Sequence, residues 1–305
     1  FSICIAIGIL NIVVAWRIRI PVSFAWSTPG AAFLLTVGEP VGGFPAVAGA
    51  FLVCAALVVL TGLIKPLAQV IAAIPAAIAN AMLAGMLLTL CLAPLNAVAE
   101  MPWQALPVIV VWAVSLRFAR RYAVPLAVVA AGIILATTTQ LPEGTFGNAW
   151  PALVPVLPSF TIDAIVRIAL PLYVVTMASQ NLPGLAVMRA NGYALRPSPL
   201  FTVTGIASAA TAVFGGVTSN LAAITAAICA GPEAHPDPDK RWPAPVAAGF
   251  TYLVLGLAAS LAAAFIAAVP PLLIQAVAGL ALFSSLAAAL AGALAVEEAR
   301  LPAIL

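Results

Sequence analysis

The sequence predicts an all-α polytopic membrane protein in which two spans are interrupted. Three observations predict it. Hydrophobic residues make up 64% of the chain and charged residues 7%, with a mean hydropathy of +1.18, whereas a soluble domain carries about 25% charge. The apolar runs divide the 305 residues into about a dozen segments of roughly 20 residues, the length that crosses a bilayer. Two of those segments carry helix-start signals in mid-run, at Ala25-Trp26-Ser27-Thr28-Pro29-Gly30-Ala31-Ala32 and at Phe214-Gly215-Gly216-Val217-Thr218-Ser219-Asn220-Leu221.

Residues 1–16 are the apolar end of a helix closed by Arg17 and Arg19. Phe1 already lies in an apolar run with no charged segment before it, so the start does not read as a signal peptide, and the sequence is expected to begin inside a longer protein. Residues 20–26 read as extended, because Pro21 blocks a helix and β-branched and aromatic residues favour a strand. A short helix is expected from about Ser27 to Val37, with Ser27 and Thr28 as capping residues and Pro29 in the first turn. At 1.5 Å per residue such a helix reaches only about half the hydrocarbon thickness.

Spans are expected at about 43–63, 71–93, 103–119 and 122–139. The proline-rich stretch from Gln140 to Phe160 reads as an excursion into water. A span at about 162–180 then runs into Ser179-Gln180-Asn181-Leu182-Pro183-Gly184, a further polar interruption, and a span at about 199–212 follows. The second interrupted element approaches through glycines to a Thr/Ser cap and a short helix ending near Ala230. Two spans, about 246–268 and 270–295, close the chain.

Charge tests this order. If each element crosses once, every Lys and Arg except Arg167 falls on one side, with Glu39, Glu100, Glu143 and Asp163 on the other. The positive-inside rule makes the first side cytoplasmic. The two interrupted elements then enter from opposite sides and start their helices at mid-depth, an arrangement that places two positive helix ends on an anionic substrate in secondary transporters.

At these residues the chain resembles the benzoate:proton symporters, the BenE family. The resemblance is carried by residues 25–32, by Met177-Ala178-Ser179-Gln180-Asn181-Leu182-Pro183-Gly184, and by Phe214-Gly215-Gly216 followed by Asn220-Leu221-Ala222-Ala223-Ile224-Thr225-Ala226. It implies a seven-plus-seven inverted-repeat transporter fold, shared with nucleobase transporters and sulfate-permease-type exchangers, of which this chain covers about eleven of the fourteen spans. On that template it starts in the second span and stops after the twelfth. Residues 1–64 and 161–268 would form the core domain, 65–139 and 269–305 the gate, and 140–160 a periplasmic loop.

The implied function is secondary active import of an aromatic carboxylate, benzoate, with protons by alternating access in the bacterial inner membrane. Other small anions, nucleobases and a passive anion channel stand as alternatives. Expected substrate-binding residues are Ser27, Thr28, Gly30, Gln180, Asn181, Thr218, Ser219 and Asn220, with Phe24, Trp26 and Phe214 as candidate ring partners. Related nucleobase transporters carry an acid on the helix of Gln180, and here there is none. No clustered nucleophile, base or metal set lies at membrane depth, so an enzyme is not expected. No cofactor and no nucleic-acid partner is expected, and a homodimer is left open as the assembly.

The remaining polar residues have plainer readings. Asp163 and Arg167, four apart, are expected to pair on one helix face. His235, among Glu233, Asp237 and Asp239, reads as part of a solvated loop rather than a metal site. Cys4, Cys54, Cys91 and Cys229 stand singly in apolar runs and read as small core residues.

Overall fold

Helices that are apolar all round bury themselves in protein or in lipid, and such helices carry this chain. The structure is a computed structural model that describes residues 1–64, 66, 76–119, 122–138, 150–232, 234–267 and 271–294. Two compact units divide the chain, Phe1–Ala79 with Pro151–Ala259, and Asn80–Trp150 with Ser260–Leu305.

The first unit opens with helix α1 (Ser2–Ile18), strand β1 (Phe24–Trp26), the short helix α2 (Thr28–Val37) and the long helix α3 (Gly43–Leu63). It resumes with α7, a continuous helical run over Ile162–Ala190. Then come α8 (Pro197–Ala212), β2 (Ser219–Leu221), the short helix α9 (Ile224–Ala230) and α10 (Pro243–Leu257). Its core gathers Phe51, Cys54 and Val58 from α3, Ile168, Leu172 and Met177 from α7, and Phe201 from α8 around Phe24 and Leu221.

The second unit holds most of α4 (Ala76–Glu100), then α5 (Pro102–Phe118), α6 (Ala123–Thr138), most of α11 (Ala259–Ala267) and α12 (Pro271–Ala293). Its core is built on small residues, Ala97, Ala105, Ala127, Ala131 and Ala276, with Val108, Leu135, Leu273 and Leu280. The Trp112 ring, packed against this core, meets the exposed Phe283 ring at 5.5 Å.

The expected spans are found as helices with ends shifted by a few residues, and both interrupted elements are strand plus short helix. Two expectations change: the span expected at about 246–268 divides at Ala258 into α10 and α11, and the polar interruption expected at 179–184 is not one. Residues 179–184 do not interrupt their span: α7 runs through them by opening into wide π turns at Ile165–Ala169 and Met177–Asn181. Each wide turn ends two residues before a proline, Pro171 or Pro183, whose ring and missing N–H a regular helix would not accommodate. Residues 139–149 of the proline-rich stretch lie outside the described ones; Pro151–Phe160 has neither helix nor strand, is mostly exposed, and is tied to the rest of the first unit by Val156 N–H donating to Val213 O at 2.7 Å and Ser159 N–H to Pro45 O at 3.0 Å. Prolines lower the number of N–H groups such a segment must satisfy.

Close crossings rest on small residues, as is general between membrane helices. A Cβ on Gly205 of α8 would lie 2.5 Å from Val59 and 2.9 Å from Ala55 O of α3, whereas a Cβ on Gly132 of α6 would meet nothing within 4 Å. Gly205→Val is therefore expected to destabilise the protein by about 1–3 kcal/mol or more through overpacking, and Gly132→Ala to be neutral or stabilising by about 0.5–1 kcal/mol. Melting temperatures of the purified variants in detergent check both.

Candidate functional site

The site grows from a problem of backbone hydrogen bonding. β1 and β2 pair antiparallel, with Phe24 opposite Leu221, Ala25 opposite Asn220 and Trp26 opposite Ser219. Ala222 N–H donates to Ser23 O at 2.9 Å, so Phe24, Leu221 and Ser219 turn their backbone groups away from the partner strand. A ribbon of two strands thus has two open edges, inside a bundle of apolar helices without water to satisfy them.

Side chains from three helices close those edges. Asn11, in the middle of α1, donates its amide to Phe24 O at 2.8 Å and accepts Phe24 N–H at 2.9 Å, as a third strand would. Its other amide hydrogen goes to Ile7 O at 2.9 Å. On the far edge Asn181 of α7 accepts Leu221 N–H at 2.9 Å and donates to Asn220 Oδ1 at 3.0 Å and to the Met177 sulfur at 3.2 Å. Ser208 of α8 accepts Ser219 N–H at 2.9 Å and donates to Thr204 O at 2.7 Å. Asn220 donates to Thr218 O at 3.0 Å. Asn11, Asn181, Ser219 and Asn220 are all at most 1% exposed.

Two short helices start from this ribbon. Ser27 caps α2, its Oγ accepting Gly30 N–H at 2.9 Å. Thr28 is not a second cap but the first helical residue, and it is half-buried. Gly30 is buried, and a Cβ there would meet Leu172 of α7 at 2.9 Å, so this glycine permits close packing. α9 departs from expectation. Thr218 and Ser219 do not cap it: Ser219–Leu221 is strand, and the helix begins at Ile224 with Ala223 at the cap position. Pairing with β1 holds those residues extended and delays the helix. The missing cap is supplied from α7, where Gln180 Oε1 accepts Ala223 N–H at 3.4 Å.

The wide turn at Met177–Asn181 directs Gln180 and Asn181 onto the ribbon and the start of α9 together. The three aromatics are not assembled into one wall. Phe24 is a core residue, Trp26 is 42% exposed and meets Tyr252 of α10 edge-on at 6.2 Å. Phe214 lines a cavity of about 410 Å³ with Leu34, Val37, Phe44 and Phe51.

Asp163 and Arg167 form the expected pair at 3.5 Å. Asp163 also accepts Val41 N–H at 3.2 Å, which ties the link between α2 and α3 to α7. His235 accepts Asp237 N–H at 3.0 Å, and among the described residues no three His, Cys, Asp or Glu gather as for a metal. Glu233 lies outside the described residues. Asp237 lies in this loop, and its carboxyl is held below the usual range first by the Asp239 N–H and then by Lys240. Cys54, Cys91 and Cys229 are buried free thiols.

Sequence reasoning missed Asn11 and Ser208. The signal for Asn11 was present, a lone amide in the apolar run Ile7–Val14; Ser208 sits in a mixed Ser/Thr/Ala helix and carried none. A third buried polar pair, the Thr61 and Tyr173 hydroxyls between α3 and α7, was also missed.

Apolar helices, two of them of spanning length, enclose a buried polar ribbon whose edge N–H groups at Phe24, Leu221 and Ser219 are bonded by helix side chains, while the Ser23 and Ser219 hydroxyls lie buried without a partner among the described residues; such an arrangement suits a membrane transport protein. The family model for the BenE benzoate membrane transport protein matches residues 1–305, and the chain belongs to that family. It is 40% identical over 304 residues to the inner membrane protein YdcO of Escherichia coli (strain K12), covering 97% of this chain and 75% of that protein. To the benzoate membrane transport protein of Acinetobacter baylyi (strain ATCC 33305 / BD413 / ADP1) it is 32% identical over 308 residues, covering 100% of this chain and 77% of the relative. The chain is accordingly a transport protein of the bacterial inner membrane.

Asn11→Leu leaves a buried N–H and C=O of Phe24 without partners, at about 1–3 kcal/mol for each group. The expected outcome is a lower melting temperature in detergent than for Asn11→Asp, whose carboxyl keeps the acceptor for Phe24 N–H.

Proposed function

We propose that this protein imports benzoate, or a closely similar aromatic carboxylate, together with protons. What carries this reading is the antiparallel ribbon from which α2 and α9 both start, in a chain of the benzoate transport family. Antiparallel pairing supports an approach of the two elements from opposite membrane faces, as in inverted-repeat transporters. The seven-plus-seven fold and alternating access belong to the same proposal. In it the first unit serves as the substrate-carrying core and the second as the gate, and the Arg17/Arg19 end of α1 faces the cytoplasm.

The carboxylate is placed at the helix starts, where the positive end of a helix favours an anion. Hydrogen-bond accounting divides the expected residues into two groups. Asn181, Asn220 and Thr218 hold the ribbon, and the Asn181 amide has both its hydrogens engaged; Ser219 holds it through its backbone, while its buried hydroxyl is without a partner among the described residues. Thr28 and the Gln180 amide nitrogen lie beside the helix starts and supply the donors, with the Ser27 hydroxyl hydrogen next to them. The ring rests against Trp26, the last paired residue of β1, which is part-exposed. A pH gradient supplies the driving force for import of the substrate.

Uptake of labelled benzoate into proteoliposomes, with and without an inward proton gradient, tests the reading. Gradient-driven, saturable uptake is expected. Uptake indifferent to the gradient overturns symport, and competition by uracil or sulfate in place of benzoate overturns the substrate. Within this assay Thr28→Val and Gln180→Leu are each expected to raise KM about tenfold to a hundredfold, the worth of one hydrogen bond to a charged group. Asn181→Ala is expected instead to lower the yield of folded protein.

A further inference from the structure

The two short helices share a feature at their far ends. α1, α3, α5, α7, α8 and α10 each finish with a backbone N–H returning to a carbonyl of the last turn. Neither α2 nor α9 has such a bond among the described residues. The chain leaves each helix abruptly, at Gly38 (φ 70°, ψ 179°) after α2 and at Gly231 (φ −78°, ψ 167°) after α9, and Pro40 and Pro232 follow, residues that cannot continue a helix.

An arginine takes that place in both. Arg167 Nη2 donates to the carbonyl of Val37, the last residue of α2, at 3.0 Å. Arg241 Nη1 donates to the carbonyl of Ala230, the last residue of α9, at 2.7 Å. The Arg241 guanidinium also donates to His235 O at 2.7 Å and Pro236 O at 3.2 Å, and the residue is only 7% exposed. Arg167 is held by Asp163, whereas Arg241 forms no ion pair with a described residue and is satisfied by backbone carbonyls alone. The neighbouring turn is fixed by Tyr193, just beyond the end of α7, whose hydroxyl donates to Pro238 O at 2.8 Å.

Helices of 10 and 7 residues do not persist unaided. Each is held at one end by the ribbon and at the other by its arginine. A cation at a helix C-terminus also offsets the negative end of the macrodipole.

We propose that Arg167 and Arg241 are a matched pair of positioning residues that fasten the outer ends of the two short helices and thereby hold their starts at the substrate. The part of this that concerns substrate rests on the proposed benzoate reading; the fastening itself does not. Lysine keeps the charge but loses the guanidinium fork, and methionine loses both.

The test is hydrogen exchange of the ligand-free protein in detergent, followed by equilibrium binding of labelled benzoate per folded molecule. Arg241→Met is expected to speed exchange over 224–230 about tenfold, the equivalent of about 1.4 kcal/mol, with 28–37 and 43–63 unchanged. Arg167→Met is expected to do the same over 28–37 alone. Arg241→Lys covers the case in which the methionine variant does not fold, and is expected to fall between the two. Unchanged exchange in the short helix overturns the fastening. Faster exchange with an unchanged benzoate Kd overturns the role in substrate affinity, and the expected Kd increase is about fivefold to tenfold. A wild-type protein that binds no benzoate overturns the substrate reading and this affinity role, while the exchange data still decide the fastening.

Discussion

Backbone polar groups in an apolar interior must be paired within the protein, and the architecture of the first unit follows from that constraint at one place. Helices meet it by themselves, and closed barrels meet it strand to strand. A two-stranded ribbon does neither, because each strand leaves alternate N–H and C=O groups on an open edge. Here Asn11 presents one carboxamide to both backbone groups of Phe24, while Asn181 and Ser208 receive the N–H groups of Leu221 and Ser219. Three helices thereby become the neighbouring strands of a sheet too small to have any.

This accounting separates residues that build the centre from those free to act there. Asn181 looks like a ligand in the sequence, an amide beside a proline and glycine on a membrane helix. Its hydrogen bonds are spent on the ribbon, on Asn220 and on Met177. Gln180, its neighbour, uses only its oxygen, on the first N–H at the start of α9. Both orientations come from the π turn that Pro183 favours, so a residue unable to join a regular helix positions two that act across it.

Short helices inside a membrane protein also need their other ends secured. Several other helices in this chain do so with backbone N–H groups, and the two short ones use arginines, Arg167 from a distant helix and Arg241 from the loop that follows α9. Arg167 stands apart in the expected charge pattern, the one Lys or Arg that the span count puts opposite the others. Its place at the end of α2 gives that exception a structural reason.

Much of this was legible in the chain itself. Apolar run length marked the helices, and Ser27-Thr28-Pro29-Gly30 marked the start of α2, because those signals are local in sequence. The Asp163–Arg167 pair was equally local, four residues apart on one helix. Tertiary structure alone decided the strand register, the late start of α9 at Ile224, the backbone ties of Pro151–Phe160, and the partners of Asn11, Ser208, Arg167 and Arg241. Each of these depends on backbone groups brought together from remote segments. A sequence displays which side chains are able to donate and accept, but only the assembled fold determines which carbonyls and N–H groups are left for them to satisfy.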